Sequence, residues 1–91
     1  MPDIRDVRFT AASSRDRRAG LLGFVAVTLH CGIRLDGLTL RRTLDGDLAL
    51  SFPSRLDRNG REHPYILPLG ERAQRRFEDD VFSRLDLEAM T

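Results

Sequence analysis

The chain has 91 residues, 41% hydrophobic and 32% charged, which fits one folded domain with a thin core and excludes a disordered polar tail. No apolar run approaches the roughly 20 residues that a membrane helix needs, and the opening MPDIRDVRF carries charges where a signal peptide would be apolar. Fifteen basic residues against fourteen acidic ones give a formal charge of +1, so contact with a polyanion has to come from a local patch and not from the overall field.

Ile4 to Ala11 alternates, with Arg5, Val7, Phe9 and Ala11 in one phase and Ile4, Asp6, Arg8 and Thr10 in the other. Period two over this length predicts a half-buried strand. Ala12 to Gly20 has serines and charges but no apolar period, which predicts a loop or hairpin connection. Its Arg15, Arg17 and Arg18 are the densest basic cluster of the chain and read either as a solvated tip or as a phosphate-contacting finger.

Leu21 to Cys31 is the most apolar segment. Leu21, Val25, Val27, Leu29 and Cys31 share one phase, and Leu22, Phe24, Ala26 and Thr28 share the other. β-Branched residues with apolar character on both faces predict a central strand. After a turn at Gly32, Ile33 and Leu35 keep one phase while Leu38 and Leu40 keep the opposite one. A one-residue slip turns every side chain over, so an extra residue has to be absorbed near Asp36-Gly37, and a β-bulge with Gly37 as its permissive residue is expected there.

Asp45-Gly46 between apolar runs is a hairpin signal. Leu48, Leu50 and Phe52 then face the core, and Pro53, with no amide hydrogen, stops the pairing. An arginine-rich loop turning at Asn59-Gly60 leads to a short strand from His63 to Leu67, with Tyr65 and Leu67 on one side and Ile66 on the other. Beyond Pro68, the recurrence of Ala73, Phe77, Val81 and Leu85, widened by Phe82, predicts a helix from about Gly70 to Leu85 or Asp86 with a fraying tail to Thr91. Its pairs Glu71–Arg75, Arg75–Asp79, Arg76–Asp80 and Asp80–Arg84 have i,i+4 spacing. The fold class is α+β: a small antiparallel sheet of about five strands over residues 3–67 and one C-terminal helix.

Chemistry-bearing groups are sparse. Cys31 has no internal partner for a disulfide, which fits a reducing cytoplasm. His30 and Cys31, as strand neighbours, point to opposite faces and cannot join in one metal site or one Cys–His pair, and no metal-ligand spacing involves His63. Ser54, Asp57 and His63 have the residue types of a triad, but no glycine elbow exposes Ser54, which is expected to satisfy backbone in the turn after Pro53. The expectation is a non-enzyme with no cofactor, metal or small-molecule substrate.

Arginine placement carries the functional reading. Arg55, Arg58 and Arg61 recur every third residue along the loop, and Arg72, Arg75 and Arg76 open the helix that follows. Guanidinium forks on phosphate give affinity without sequence preference. The helix arginines have acidic neighbours at pairing distance, so they serve either as a neutralised solvent face or as a binding face. The basic residues are all arginine, which fits either Arg-rich codon usage or selection for that fork.

The ordered features of this central stretch resemble the SpoVG family of septation- and sporulation-associated bacterial regulators. Pro53-Ser54-Arg55 follows an apolar strand, Asn59-Gly60 turns a polar loop, and Pro68-Leu69 closes the return. Ile4-Arg5-Asp6-Val7-Arg8 looks like the family's first strand and Phe77-Glu78-Asp79-Asp80-Val81-Phe82 like its C-terminal helix, so the likeness runs from about Asp3 to Leu85. The chain departs at Leu67, where the family usually has histidine, and at His63-Pro64, where Arg-Asp is common. The resemblance implies a small α+β protein that dimerises through its sheet, binds DNA or RNA with basic residues of its loop and C-terminal helix, and modulates gene expression. Arg55 matches the motif directly; Arg58, Arg61, Arg72, Arg75 and Arg76 join it by neighbourhood and chemistry. A protein-interaction module that works through a strand edge or the loop, without nucleic acid, is the alternative.

Overall fold

A computed structural model describes residues 4–85. Four strands, β1 (Ile4–Ala11), β2 (Leu21–Leu29), β3 (Arg34–Arg42) and β4 (Leu48–Ser51), form an antiparallel meander in the order β1-β2-β3-β4. Two further strands, β5 (Ser54–Leu56) and β6 (Glu62–Pro64), pair only with each other. Between β1 and β2 lies a short helix, α1 (Ser14–Arg18), and the chain's long helix, α2 (Glu71–Ser83), follows β6.

Each of the first three strands absorbs a slip, and together the slips gather the core on one side. In β3 the expected bulge is present: Val25 pairs with Leu38 but Val27 with Leu35, leaving Asp36-Gly37 to accommodate the extra residue. Gly37 adopts φ +80°, and its amide donates to the Asp36 carboxylate at 3.0 Å. Two more slips escaped the alternation pattern. Ile4 pairs with Leu29 and Asp6 with Thr28, so Arg5 is the surplus residue and Ile4 joins Val7 and Phe9 instead of opposing them. Leu21 pairs with Arg41 and Gly23 with Leu40, so Leu22 falls on the same side as Val25 and Val27. The result is one core of Ile4, Leu22, Val25, Val27, Leu38, Leu40, Leu50 and Val81.

β2 is central in pairing, but only one of its faces is covered. The expected second buried face is open: Phe24 is 45% exposed and Ala26 and Thr28 are half-buried. On the covered face Gly23 is buried because the Phe9 ring occupies the place of a side chain. A Cβ built there would lie 2.6 Å from that ring and 2.4 Å from the Thr10 carbonyl oxygen.

α2 packs its Phe77–Val81–Phe82–Leu85 stripe on the core. Val81 is fully buried, which contributes about 2 kcal/mol, and Phe77 meets Phe52 with ring centroids 5.6 Å apart. The helix also seals an edge: the outward amide of Leu50 in β4 donates to the Glu78 carboxylate at 2.9 Å. Helix formation starts one residue later than the pattern implied and stops at Ser83; Asp86, the tail to Thr91 and the opening Asp3 lie outside the described residues.

Two connections differ from expectation. The segment read as a loop after β1 folds a helical turn because Ser13 caps it, accepting the Asp16 amide at 3.2 Å. The returning strand is shorter and earlier than His63–Leu67. Tyr65 still donates its amide to the Pro53 carbonyl at 2.9 Å, but Tyr65, Ile66 and Leu67 are exposed and outside any ladder. The Asp45-Gly46 turn forms as expected, with Gly46 at φ +88° and the Thr43 amide bonded to the Asp47 carbonyl at 2.8 Å.

Gly23→Ala is expected to cost about 2 kcal/mol of stability, since the added methyl overpacks a site closed by backbone and ring; urea unfolding measures it, and a wild-type midpoint would contradict the close approach. Glu78→Ala should cost about 1–2 kcal/mol by leaving the Leu50 amide without its acceptor, with faster exchange of that amide as the local readout.

Candidate nucleic-acid interface

Pro53 ends β4, and the chain re-pairs as a separate two-stranded arm. Ser54 pairs with Pro64, Arg55 with His63 and Leu56 with Glu62. Side chains alternate along each strand, so this register puts Arg55 and His63 on one face and Ser54, Leu56, Glu62 and Pro64 on the other. Ser54 and Glu62, diagonal neighbours, hydrogen-bond through hydroxyl and carboxylate. Their face, with Pro64, borders a groove completed by Phe52, Leu67 and Gln74 of α2. The face carrying Arg55 points the other way.

Asp57 organises the tip. Its Oδ1 accepts the amides of Asn59 at 2.8 Å and Arg61 at 2.9 Å, and its Oδ2 lies 2.8 Å from His63 Nε2. The Asp57 amide donates to the Arg61 carbonyl at 2.9 Å, and Gly60 supplies φ +78° for the reversal. The hydrogen bond to His63, then that from Arg61, holds the Asp57 carboxyl below its ordinary value of 3.8. One carboxylate is thereby committed to the turn and to histidine, while Arg55, Arg58 and Arg61 are exposed. Among the described residues none of the three forms an ion pair.

The helix arginines occupy a second location. Arg72, Arg75 and Arg76 are exposed and, with Glu71 and Asp79, line a shallow open crevice of α2. Of the four spaced pairs expected along the helix, Asp80–Arg84 closes, at 3.0 Å. Among the described residues Arg72, Arg75 and Arg76 form no ion pair. The arrangement is a mixed face, with two carboxylates beside three guanidiniums. Arg15, Arg17 and Arg18 sit on α1, exposed; Arg17 and Arg18 reach back to Ser14 at 3.4 Å each.

The triad-like residues do not assemble. Ser54 bonds Glu62, not backbone as its turn position implied, and faces away from the Asp57–His63 pair. β2 ends at Leu29, so His30 and Cys31 occupy an exposed turn and not a strand. Among the described residues no three His, Cys, Asp or Glu side chains converge as metal ligands, and no helix is long and apolar enough to cross a membrane.

Sequence reasoning passed over Phe24. Its phase partners are apolar or β-branched, which hides exposure; the polar Thr10 and Thr39 that flank it across the ladder become visible only with the register.

No protein-family model matches the chain, and no curated protein matches it.

Because the folded-state value of Asp57 is lowered, its stabilisation of the tip is full above the ordinary carboxylate range and is lost as pH falls through the lowered value. Acid titration by NMR is expected to show the Asn59 and Arg61 amides losing exchange protection below about pH 4, and Asp57→Asn should remove that dependence. Protection that is flat down to about pH 2 would contradict the assignment.

Proposed function

We propose that the chain is a nucleic-acid-binding regulator of the SpoVG kind that grips phosphate with the β5–β6 arm. The observation that carries this reading is the arm itself: Arg55, Arg58 and Arg61 are exposed on a short ribbon whose two carboxylates are already engaged, Asp57 by the turn amides and His63 and Glu62 by the Ser54 hydroxyl on the opposite face. A ribbon of this kind holds guanidinium groups at fixed spacing, and forks fixed against phosphate lose little entropy per hydrogen bond. Arg72, Arg75 and Arg76 on α2 add a second contact, weakened by Glu71 and Asp79 beside them. On this reading the chain is non-catalytic, in keeping with its sparse chemistry-bearing groups, and works in the cytoplasm, in keeping with its single cysteine.

The same likeness implies a homodimer formed through the sheet. Support comes from β1, which has β2 on one side and, among the described residues, no strand on the other, leaving a row of backbone groups for a second copy. Sedimentation velocity should then report two chains and not the 10.4 kDa of one; a stable monomer at high concentration would remove the dimer.

A protein-interaction reading is favoured by a different observation. Leu56, Tyr65, Leu67 and Leu69 are all more than half exposed at or just beyond the arm, and such residues attract protein partners.

Binding of labelled DNA and RNA oligonucleotides across a salt series decides between the two. Wild type is expected to bind with a steep salt dependence, and replacing Arg55, Arg58 and Arg61 together by alanine should lower the slope of log K against log salt by about 2–3. An unchanged slope, or retention lost well below roughly 150 mM salt, where weak charge contacts are screened, would overturn the arm assignment and favour the protein-interaction reading.

A further inference from the structure

We infer that the uncovered face of the four-stranded sheet is a stacking platform for unpaired bases, so that the polyanion taken by this chain is a single strand and not a duplex; this rests on the nucleic-acid reading above. Phe24 carries the inference. It stands on β2, an inner strand, in a cross-strand row with Thr10, Thr39 and Ser51. The core cluster takes Phe9, Phe52, Phe77 and Phe82, whereas Phe24 belongs to the opposite face and is 45% exposed. Three of its neighbours (Ala26, Thr10 and Thr39) are short, with Leu21 on the remaining side along β2, so the ring keeps nearly half of its surface exposed. An aromatic ring left on the open side contributes nothing to the core and keeps part of its π-surface within reach of solvent. Base–aromatic stacking uses such a face, and open antiparallel sheets bearing aromatics accept single strands in this manner.

Charge on the same face complements a phosphodiester backbone. Arg8 pairs in register with Ala26 on one side of the Phe24 row, and Arg41 pairs with Leu21 and Ala49 on the other. Each lies two residues along its strand from that row, about 7 Å away, comparable to the step between successive phosphates of an extended strand. Arg41 has no ion pair among the described residues, and Arg8 meets only the exposed Asp6 at 3.3 Å, a contact that solvent largely neutralises. A second copy fits this face poorly, because Phe24 and the half-buried Leu21 are its large apolar side chains among the described residues, amid threonine, serine and alanine. A duplex fits poorly as well, since its base faces are stacked inside.

The chain has no tryptophan, so Phe24→Trp places one reporter ring at the centre of the platform. With oligo(dT) and oligo(rU) as probes at low salt, its emission is expected to quench on binding, and a duplex of equal length should bind more weakly without quenching. Phe24→Leu keeps an apolar side chain at an exposed position and should weaken single-strand binding about ten-fold, the loss of one stack, while Phe24→Tyr restores it. Arg41→Ala should weaken binding and lower the salt slope by about 0.7. Wild-type affinity in Phe24→Leu, indole emission in Phe24→Trp that the probes leave unquenched, or quenching that follows protein concentration alone would overturn the platform; the last would make the face a contact between copies. If the arginine-arm variant loses binding while Phe24→Leu keeps it, the arm reading stands and the platform fails. If wild type binds no probe, both fail.

Discussion

One constraint shapes this domain: strands with imperfect alternation have to deliver all their large apolar side chains, Phe24 and Leu21 apart, to a single side of the sheet. A perfect period of two would set Ile4 against Val7, Leu22 against Val25, and Leu35 against Leu38. The surplus residue in each of β1, β2 and β3 reverses the phase at the right place, and α2 closes over the collected side chains with Val81 at the centre. The slips sacrifice ladder hydrogen bonds and strengthen the local twist. A sheet so thin has no alternative, because an apolar group on the far side would find nothing to pack against.

The two proposed binding surfaces follow from what this one-sidedness leaves over. The far side of the sheet becomes a shallow floor of threonines, alanines and arginines around Phe24. The arm exists because Pro53 interrupts the ladder and the chain has to satisfy its backbone elsewhere, which it does by pairing β5 with β6 and by committing Asp57 to the tip. Neither surface shares its principal side chains with the core.

The parts of the fold that depend on local chemistry were legible in the residues. The β3 bulge was readable because four aliphatic residues flank a glycine, so the phase break and its remedy stand side by side. The Asp45-Gly46 turn, the stop at Pro53 and the α2 stripe were readable for similar reasons. The slips at Arg5 and Leu22 were not, since the alternation around each is acceptable in two phases; Gly23 beside Leu22 is the one local sign, and it reads equally well as a close approach within a regular strand. α1 was hidden because its capping serine sits in a run that reads equally well as loop. As for the interface, the spacing of Arg55, Arg58 and Arg61 was visible, but their freedom from acidic partners depends on where Asp57 points, and that is a property of the folded turn. Phe24 was hidden by register alone.

The contact between Glu78 and the Leu50 amide has a consequence for assembly. A sheet grows when both of its lateral borders can recruit another chain; here the helix carboxylate occupies an amide on the β4 border, while the β1 border has no neighbouring strand among the described residues. Two copies joined border to border through β1 would present only blocked flanks outward. Growth of such a pair would halt at two copies instead of running on into a fibre, and the Glu78 carboxylate on α2 would be the group that stops it.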